Sequence, residues 1–135
     1  MMRGVLVISS LVLALAQPAA WAQTAGTMSP AQVVAAAAAG GDVEGVFEMQ
    51  VASTGAGGFV YYLNSNKDYR DAGNLAIVIE PSARNEFLAK LGGEPDAVFK
   101  DKRIRVKGIA RRVPVGSHFQ TRVTVSQAAQ IEIVG

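Results

Sequence analysis

The sequence predicts a mainly β fold: a five-stranded Greek-key barrel with one helix between its third and fourth strands, a short N-terminal helix and a tail strand. Three observations carry this prediction. The stretch Lys102-Arg103-Ile104-Arg105-Val106-Lys107-Gly108-Ile109-Ala110-Arg111-Arg112 alternates apolar and basic residues at period two. Ile104 and Val106 therefore face one side of a strand, and Arg103, Arg105 and Lys107 the other. Four further segments carry β patterns bounded by glycine, proline or asparagine. A helix signal, Pro81-Ser82 followed by Phe87, Leu88 and Leu91 and stopped by Gly92-Gly93, falls after the third of the five strands.

The chain opens on a different pattern. Arg3 gives a short positive start, residues 5–16 form an apolar run too short for a stable bilayer anchor, and Pro18 breaks it. Ala20-Trp21-Ala22 supplies the small-x-small site of a signal peptidase. Residues 1–22 are thus expected to be a cleavable secretory signal, with Gln23 first in an exported product that is periplasmic or secreted and has no stable membrane span after cleavage. Residues 23–41 read as a linker and short helix, and 42–135 as the barrel domain. The chain has no cysteine, which excludes disulfides and thiolate metal sites, so the domain must rely on its core. The 113 residues after the signal suffice for one domain.

Charge is unevenly spread. Residues 23–99 carry four basic and nine acidic side chains, whereas 100–122 carry eight basic and one acidic. A protein close to neutral overall can still hold a positive patch.

The elements follow in order. Residues 23–28 are small and linker-like; Ser29-Pro30 caps a helix of valines and alanines that Gly40-Gly41 ends. In the first strand Val43, Phe47, Met49 and Val51 oppose Glu44, Val46, Glu48 and Gln50, and Gly45 lies on the apolar face where a curved strand needs glycine. Residues 55–58 read as a glycine-rich turn before a second strand, Phe59-Val60-Tyr61-Tyr62-Leu63. A polar loop, 64–74, leads to a short apolar strand over 75–80. After the helix come the basic strand, 103–112, a turn at Pro114-Val115-Gly116, a strand over 119–125 with Thr121, Val123 and Val125 on one face, and a tail strand over 131–134. Phe47, Phe59, Phe87 and Phe99 are expected in the core. Strand, strand, strand, helix, strand, strand is the order of the OB-fold, a small, partly open barrel.

Particular residues strengthen that assignment. Leu63-Asn64-Ser65, then Asp68-Tyr69-Arg70-Asp71, Asn74 and Ile79, followed by Lys102-x-Ile104-x-Val106-x-Gly108 and Gln130-Ile131-Glu132-Ile133, resemble a motif of small, exported bacterial OB-fold domains. The resemblance covers about 42–134, and the layout of signal, alanine-containing helix and barrel is also similar to the periplasmic bacterial OB-fold family. It implies binding of oligonucleotides, oligosaccharides or proteins, among which fold alone does not choose.

Single-stranded nucleic acid needs a positive groove for phosphates and aromatic faces for bases. Candidate ligand-binding residues are Tyr61, Lys67, Tyr69, Arg70, Arg103, Arg105, Lys107, Arg111, Arg112 and Arg122. The alternative is that the tyrosines are core and the cations form a solvated face that discourages edge pairing, with the chain a protein- or envelope-interaction module. Asn64-x-Asn66-x-Asp68 begins like a calcium loop, but Tyr69 stands where glycine is needed and Leu75 where a bidentate glutamate should sit. His118 is the sole histidine, and Ser117 beside it points to the opposite face, so neither a metal site nor a triad forms. The expectation is a binding protein, not an enzyme, without cofactor or metal, whose partner is single-stranded nucleic acid, another polyanion or an envelope protein.

Overall fold

Residues 26–135 are described in a computed structural model of the chain, and the expected signal, 1–22, lies outside them. The basic segment forms the longest strand, β6 (Arg103–Val115), and organises the sheet. One edge pairs antiparallel with β2 (Val43–Gln50), from Val43↔Ala110 to Gln50↔Arg103. Its far half forms a hairpin with β7 (His118–Val125), and its near half pairs with β8 (Ile131–Ile133). Strand β7 runs parallel to β5 (Leu75–Ile79), which pairs with β4 (Val60–Asn64), which pairs with β3 (Ser53–Gly57). A two-residue strand, β1 (Thr27–Met28), lies parallel on β2.

The protein is mainly β, with an open mixed sheet of eight strands in the order β1-β2-β6-β7-β5-β4-β3 and β8 beside β6. The five-stranded barrel that the sequence predicts is not observed as such: the first expected strand ends as β2 at Gln50, and after Val51 and Ala52 the chain forms a further strand, β3, where no strand is expected. That break is ordered. The Val51 amide donates to the Lys102 carbonyl at 2.8 Å and the Ala52 amide to the Asn64 carbonyl at 2.8 Å, so one residue leans toward each side of the seam.

Ser29 caps α1 (Pro30–Gly40) with a full capping box through Gln32, and the helix buries Val33 and Ala37. The expected internal helix is a 3-10 turn, Pro81–Ala83, then α2 (Arg84–Leu91), then a second helix, α3 (Pro95–Phe99), entered through the Gly92-Gly93 break. Phe87 and Phe99 meet edge to face at 5.8 Å and cap one side of the core. Period two holds on β6: Ile104, Val106 and Ala110 are fully buried with Phe47, Met49, Leu63, Ile77, Val123 and Val125.

Four local expectations are corrected. Gly55 and Gly57 are strand, not turn; the turn is Gly58-Phe59, both at positive φ (60° and 68°), between the paired Gly57 and Val60. A two-residue hairpin loop with both φ positive matches strand twist, so the chain places Phe59 at its tip. Phe59 is consequently 69% exposed and outside the core. Pro114 and Val115 continue β6, because Pro114 needs no ladder donor near the hairpin end. Thr27 and Met28 are not linker but strand, and Met28 packs against the core.

Gly108 faces Gly45 across the β2–β6 ladder, and the two are not equivalent. A Cβ on Gly108 would sit 2.9 Å from Val123 Cγ1, whereas one on Gly45 would meet only Phe47 at an ordinary 3.6 Å. Gly108→Ala is therefore expected to destabilise by about 1–2 kcal/mol through overpacking. Gly45→Ala should be neutral or stabilising by up to about 1 kcal/mol through the unfolded chain. Urea midpoints of the two variants check this; equal shifts would refute it.

Candidate functional site

The register of β2 against β6 decides which cations are free. Glu48 lies opposite Arg105 and diagonal to Arg103, and its carboxylate takes both: Arg103 Nε at 2.7 Å and Arg105 Nη2 at 3.1 Å. Glu132 of β8 adds a second partner for Arg105 at 3.3 Å. The hydrogen bond from Arg103, with that from Arg105, holds the Glu48 carboxyl below its ordinary value against partial burial. Arg103 and Arg105 are thus committed within the fold. Two residues on, Val46 stands opposite Lys107, which has no acidic partner among the described residues.

Tyr61 is also structural. Its side chain is buried, and its hydroxyl donates to Glu94 Oε1 at 2.5 Å and accepts from Arg84 Nε at 2.8 Å. Arg84 Nη2 closes the cluster on Glu94 Oε2 at 2.9 Å, tying α2 and α3 to β4. Tyr61, then Arg84, lowers the Glu94 carboxyl below its ordinary value, while Glu94 raises the Tyr61 hydroxyl. Because Glu48 and Glu94 both titrate lower in the fold, their contribution is complete above the ordinary carboxylate value of 4.5 and is lost as pH falls through the depressed values. The melting temperature should drop below that pH, and less steeply for a Glu48→Gln, Glu94→Gln double variant; parallel acid limbs would refute it.

The polar loop before β5 is built around Asn74, which is 1% exposed. Its Oδ1 accepts from the Asn66 amide at 2.9 Å, and its Nδ2 donates to Asn64 Oδ1 at 3.1 Å and to the Tyr69 carbonyl at 3.4 Å. Asp68 holds Arg70 at 3.0 Å, and Asp71 accepts from Asn66 Nδ2. These bonds fix Tyr69 (56% exposed) and Arg70 against the β6–β7 hairpin, where Gln120 Nε2 donates to the Tyr69 carbonyl at 3.3 Å. Lys67 is exposed on the same loop.

Neighbouring residues of one strand point oppositely, so Arg111 and Arg112 part company. Arg111 joins Lys107 and Arg122 on the outer face, around a groove of about 840 Å³. Arg112 takes the other face, where β6 has outrun the core, and its guanidinium carbon lies 3.8 Å over the centre of the Phe119 ring. Phe119 is half exposed. With Arg70, His118, Thr121 and the α1 residues Val34 and Ala38 they line a cleft of about 400 Å³, and none of the lining residues is acidic.

The ten candidate residues therefore do not converge. Arg70 and Arg112 meet in the cleft with Tyr69 and Lys67 on the adjoining loop; Lys107, Arg111 and Arg122 share the groove; Arg103, Arg105 and Tyr61 are bound up in the fold. The surface that an OB-fold would use by analogy, the outer face of β4 and β5, holds Tyr62 and Val78 and no charged residue. Phe119, Thr121 and the helix wall escape a sequence reading. The one signal was parity: Arg112 lies an even step from Ile104 and Val106, and so shares their face.

No family model matches the chain, and no curated protein matches it. The fold is similar to aspartyl tRNA synthetase from Entamoeba histolytica, with a TM-score of 0.51 and 12% identity, covering 94% of this chain and 26% of that one. It is also similar to an aspartyl-tRNA synthetase chain from Leishmania major Friedlin, with a TM-score of 0.50 and 14% identity, covering 90% of this chain and 22% of that one. The chain spans about a quarter of these neighbours, and at such identity the likeness is one of fold.

Proposed function

We propose that the chain is an exported, non-catalytic OB-fold module that binds single-stranded nucleic acid at the Arg112–Phe119 cleft. The observation that carries this reading is the stack of Arg112 on half-exposed Phe119 in a cleft without acidic lining, with Arg70 beside it. A base needs an aromatic or guanidinium plane and a phosphate needs cations. The cleft offers the Arg112–Phe119 plane, the Arg112 charge without a carboxylate partner among the described residues, and Arg70, whose exposed ion pair with Asp68 a phosphate can displace. Two features of the fold support the barrel assignment: the parallel β5–β7 pairing and the helices inserted between β5 and β6. The similar solved structures belong to enzymes whose names include tRNA, which is consistent with a nucleic-acid ligand for the shared fold. Export rests on the pattern of residues 1–22, and intact-mass measurement of the product from an exporting host should find Gln23 at its start.

Fluorescence anisotropy with a labelled single-stranded oligonucleotide tests the activity. Binding should weaken with salt at a logarithmic slope of about −2, the value for three phosphate contacts on a single strand, here from Lys67, Arg70 and Arg112. No binding at low salt, or binding without salt dependence, would sink the reading.

A further inference from the structure

We infer a second ligand site, separate from the cleft, in the groove on the outer face of β2, β6 and β7: a site for a compact polyphosphate, that is, a linked di- or triphosphate group. The argument begins with register. Arg111 of β6 lies directly opposite Arg122 of β7, so two guanidinium groups leave the same face of neighbouring strands. Like charges directly opposed in a sheet are destabilising. Lys107, four residues back on the same face, adds a third cation that Val46 opposes instead of an acid.

The fold elsewhere shows how such charges are neutralised. Glu48 and Glu132 bracket Arg105, and Glu48 also takes Arg103. In the groove compensation is slight. Arg111 reaches Asp42 at 2.9 Å, but both side chains are 59% exposed, the kind of ion pair that a ligand displaces at little cost. Arg122 Nε donates to a neutral acceptor, Gln120 Oε1 at 2.9 Å. Glu44 lines the groove without an ion pair to any of the three. A repulsive arrangement retained on the same face where Arg103 and Arg105 are neutralised is what a binding site for an anion requires, since strain in the empty site is relieved on binding.

The shape selects the ligand. The space of about 840 Å³ lies within the range of small-ligand sites. No aromatic residue lines it, so a base would find no ring to stack on, and the guanidinium groups are left to phosphate oxygens. Guanidinium forks match phosphate oxygens two at a time, and Lys107 to Arg111 spans roughly 13 Å of strand, the reach of linked phosphates rather than of a single one. The wall is held firm by Gln130, whose Nε2 donates to the Lys107 carbonyl at 3.0 Å while its Oε1 accepts from the Ser126 and Gln127 amides.

The test is thermal melting of the full domain with sodium tripolyphosphate, ATP or orthophosphate, each against sodium chloride of equal ionic strength. Tripolyphosphate and ATP at tenfold saturation should each raise the melting temperature by about 5 °C, and orthophosphate by much less. Equal shifts from the first two identify the linked phosphates as the recognised group; a shift from ATP alone would overturn that assignment. Lys107→Gln should abolish the shift, and having no partner to lose it should fold normally. Arg122→Gln should also abolish it, while its ligand-free melting temperature stays level or rises, because the facing charge on Arg111 is relieved. A lower ligand-free value for Arg122→Gln would make Arg122 a structural support and overturn the inference. So would a polyphosphate shift no greater than that of chloride, or one that survives both substitutions. Phe119→Ala should leave the shift intact, so failure of this site and failure of the cleft are told apart.

Discussion

Replacing Asn74 with alanine is expected to lower folding stability by about 2–4 kcal/mol, because two or more buried polar groups lose their partners at once. Asn74 ties both ends of its loop together. Its Oδ1 satisfies the Asn66 amide, and its Nδ2 satisfies Asn64 Oδ1, itself only 5% exposed. Alanine supplies neither group, and the space left is enclosed by Ser65, Leu75 and the Tyr69 carbonyl. The same change should weaken oligonucleotide binding, since Tyr69 and Arg70 are held against β7 through this loop. Urea unfolding gives the stability, and a loss below about 0.5 kcal/mol, the scale of an ordinary surface substitution, would refute the role assigned to Asn74. Affinity unchanged in a destabilised variant would show that the loop does not contribute to the site.

How much of this was legible beforehand depends on whether a residue's role is local. Period two on β6 predicted correctly that Ile104 and Val106 pack inward, because alternation is a property of the strand alone. Ser29 and the glycines after α1 and α2 marked helix ends for the same reason. The fate of the cations was not local. Arg103 and Arg105 were neutralised by one residue, Glu48, 55 and 57 positions away, through a register that only the folded sheet fixes. Phe59 was misplaced because the hairpin took its turn one glycine later than composition suggested. The role of Phe119 was not local either, since its partner Arg112 is brought to it by a hairpin whose strands continue past the core.

Phe119→Ala should weaken single-stranded oligonucleotide binding by about tenfold or more, the cost of one lost base–aromatic stack, while leaving the fold intact. Stability should hold because the ring is half exposed and outside the buried core. Its removal forfeits the contact with Arg112, and an exposed cation–π pair contributes about 0.5–1 kcal/mol. Binding should fall further than that contact explains, because Phe119 both offers a plane to a base and holds Arg112 flat beside it. Phe119→Tyr preserves the plane and should keep most of the affinity; Phe119→Leu preserves bulk without the π face and should behave like alanine. The salt dependence separates the two roles. Losing a stacking platform weakens binding equally at every salt concentration, whereas Arg112→Ala should also flatten the logarithmic slope by about 0.7, one phosphate contact fewer. Should leucine bind as well as tyrosine, the cleft would be recognising apolar bulk, and the nucleic-acid reading would lose the observation on which it stands.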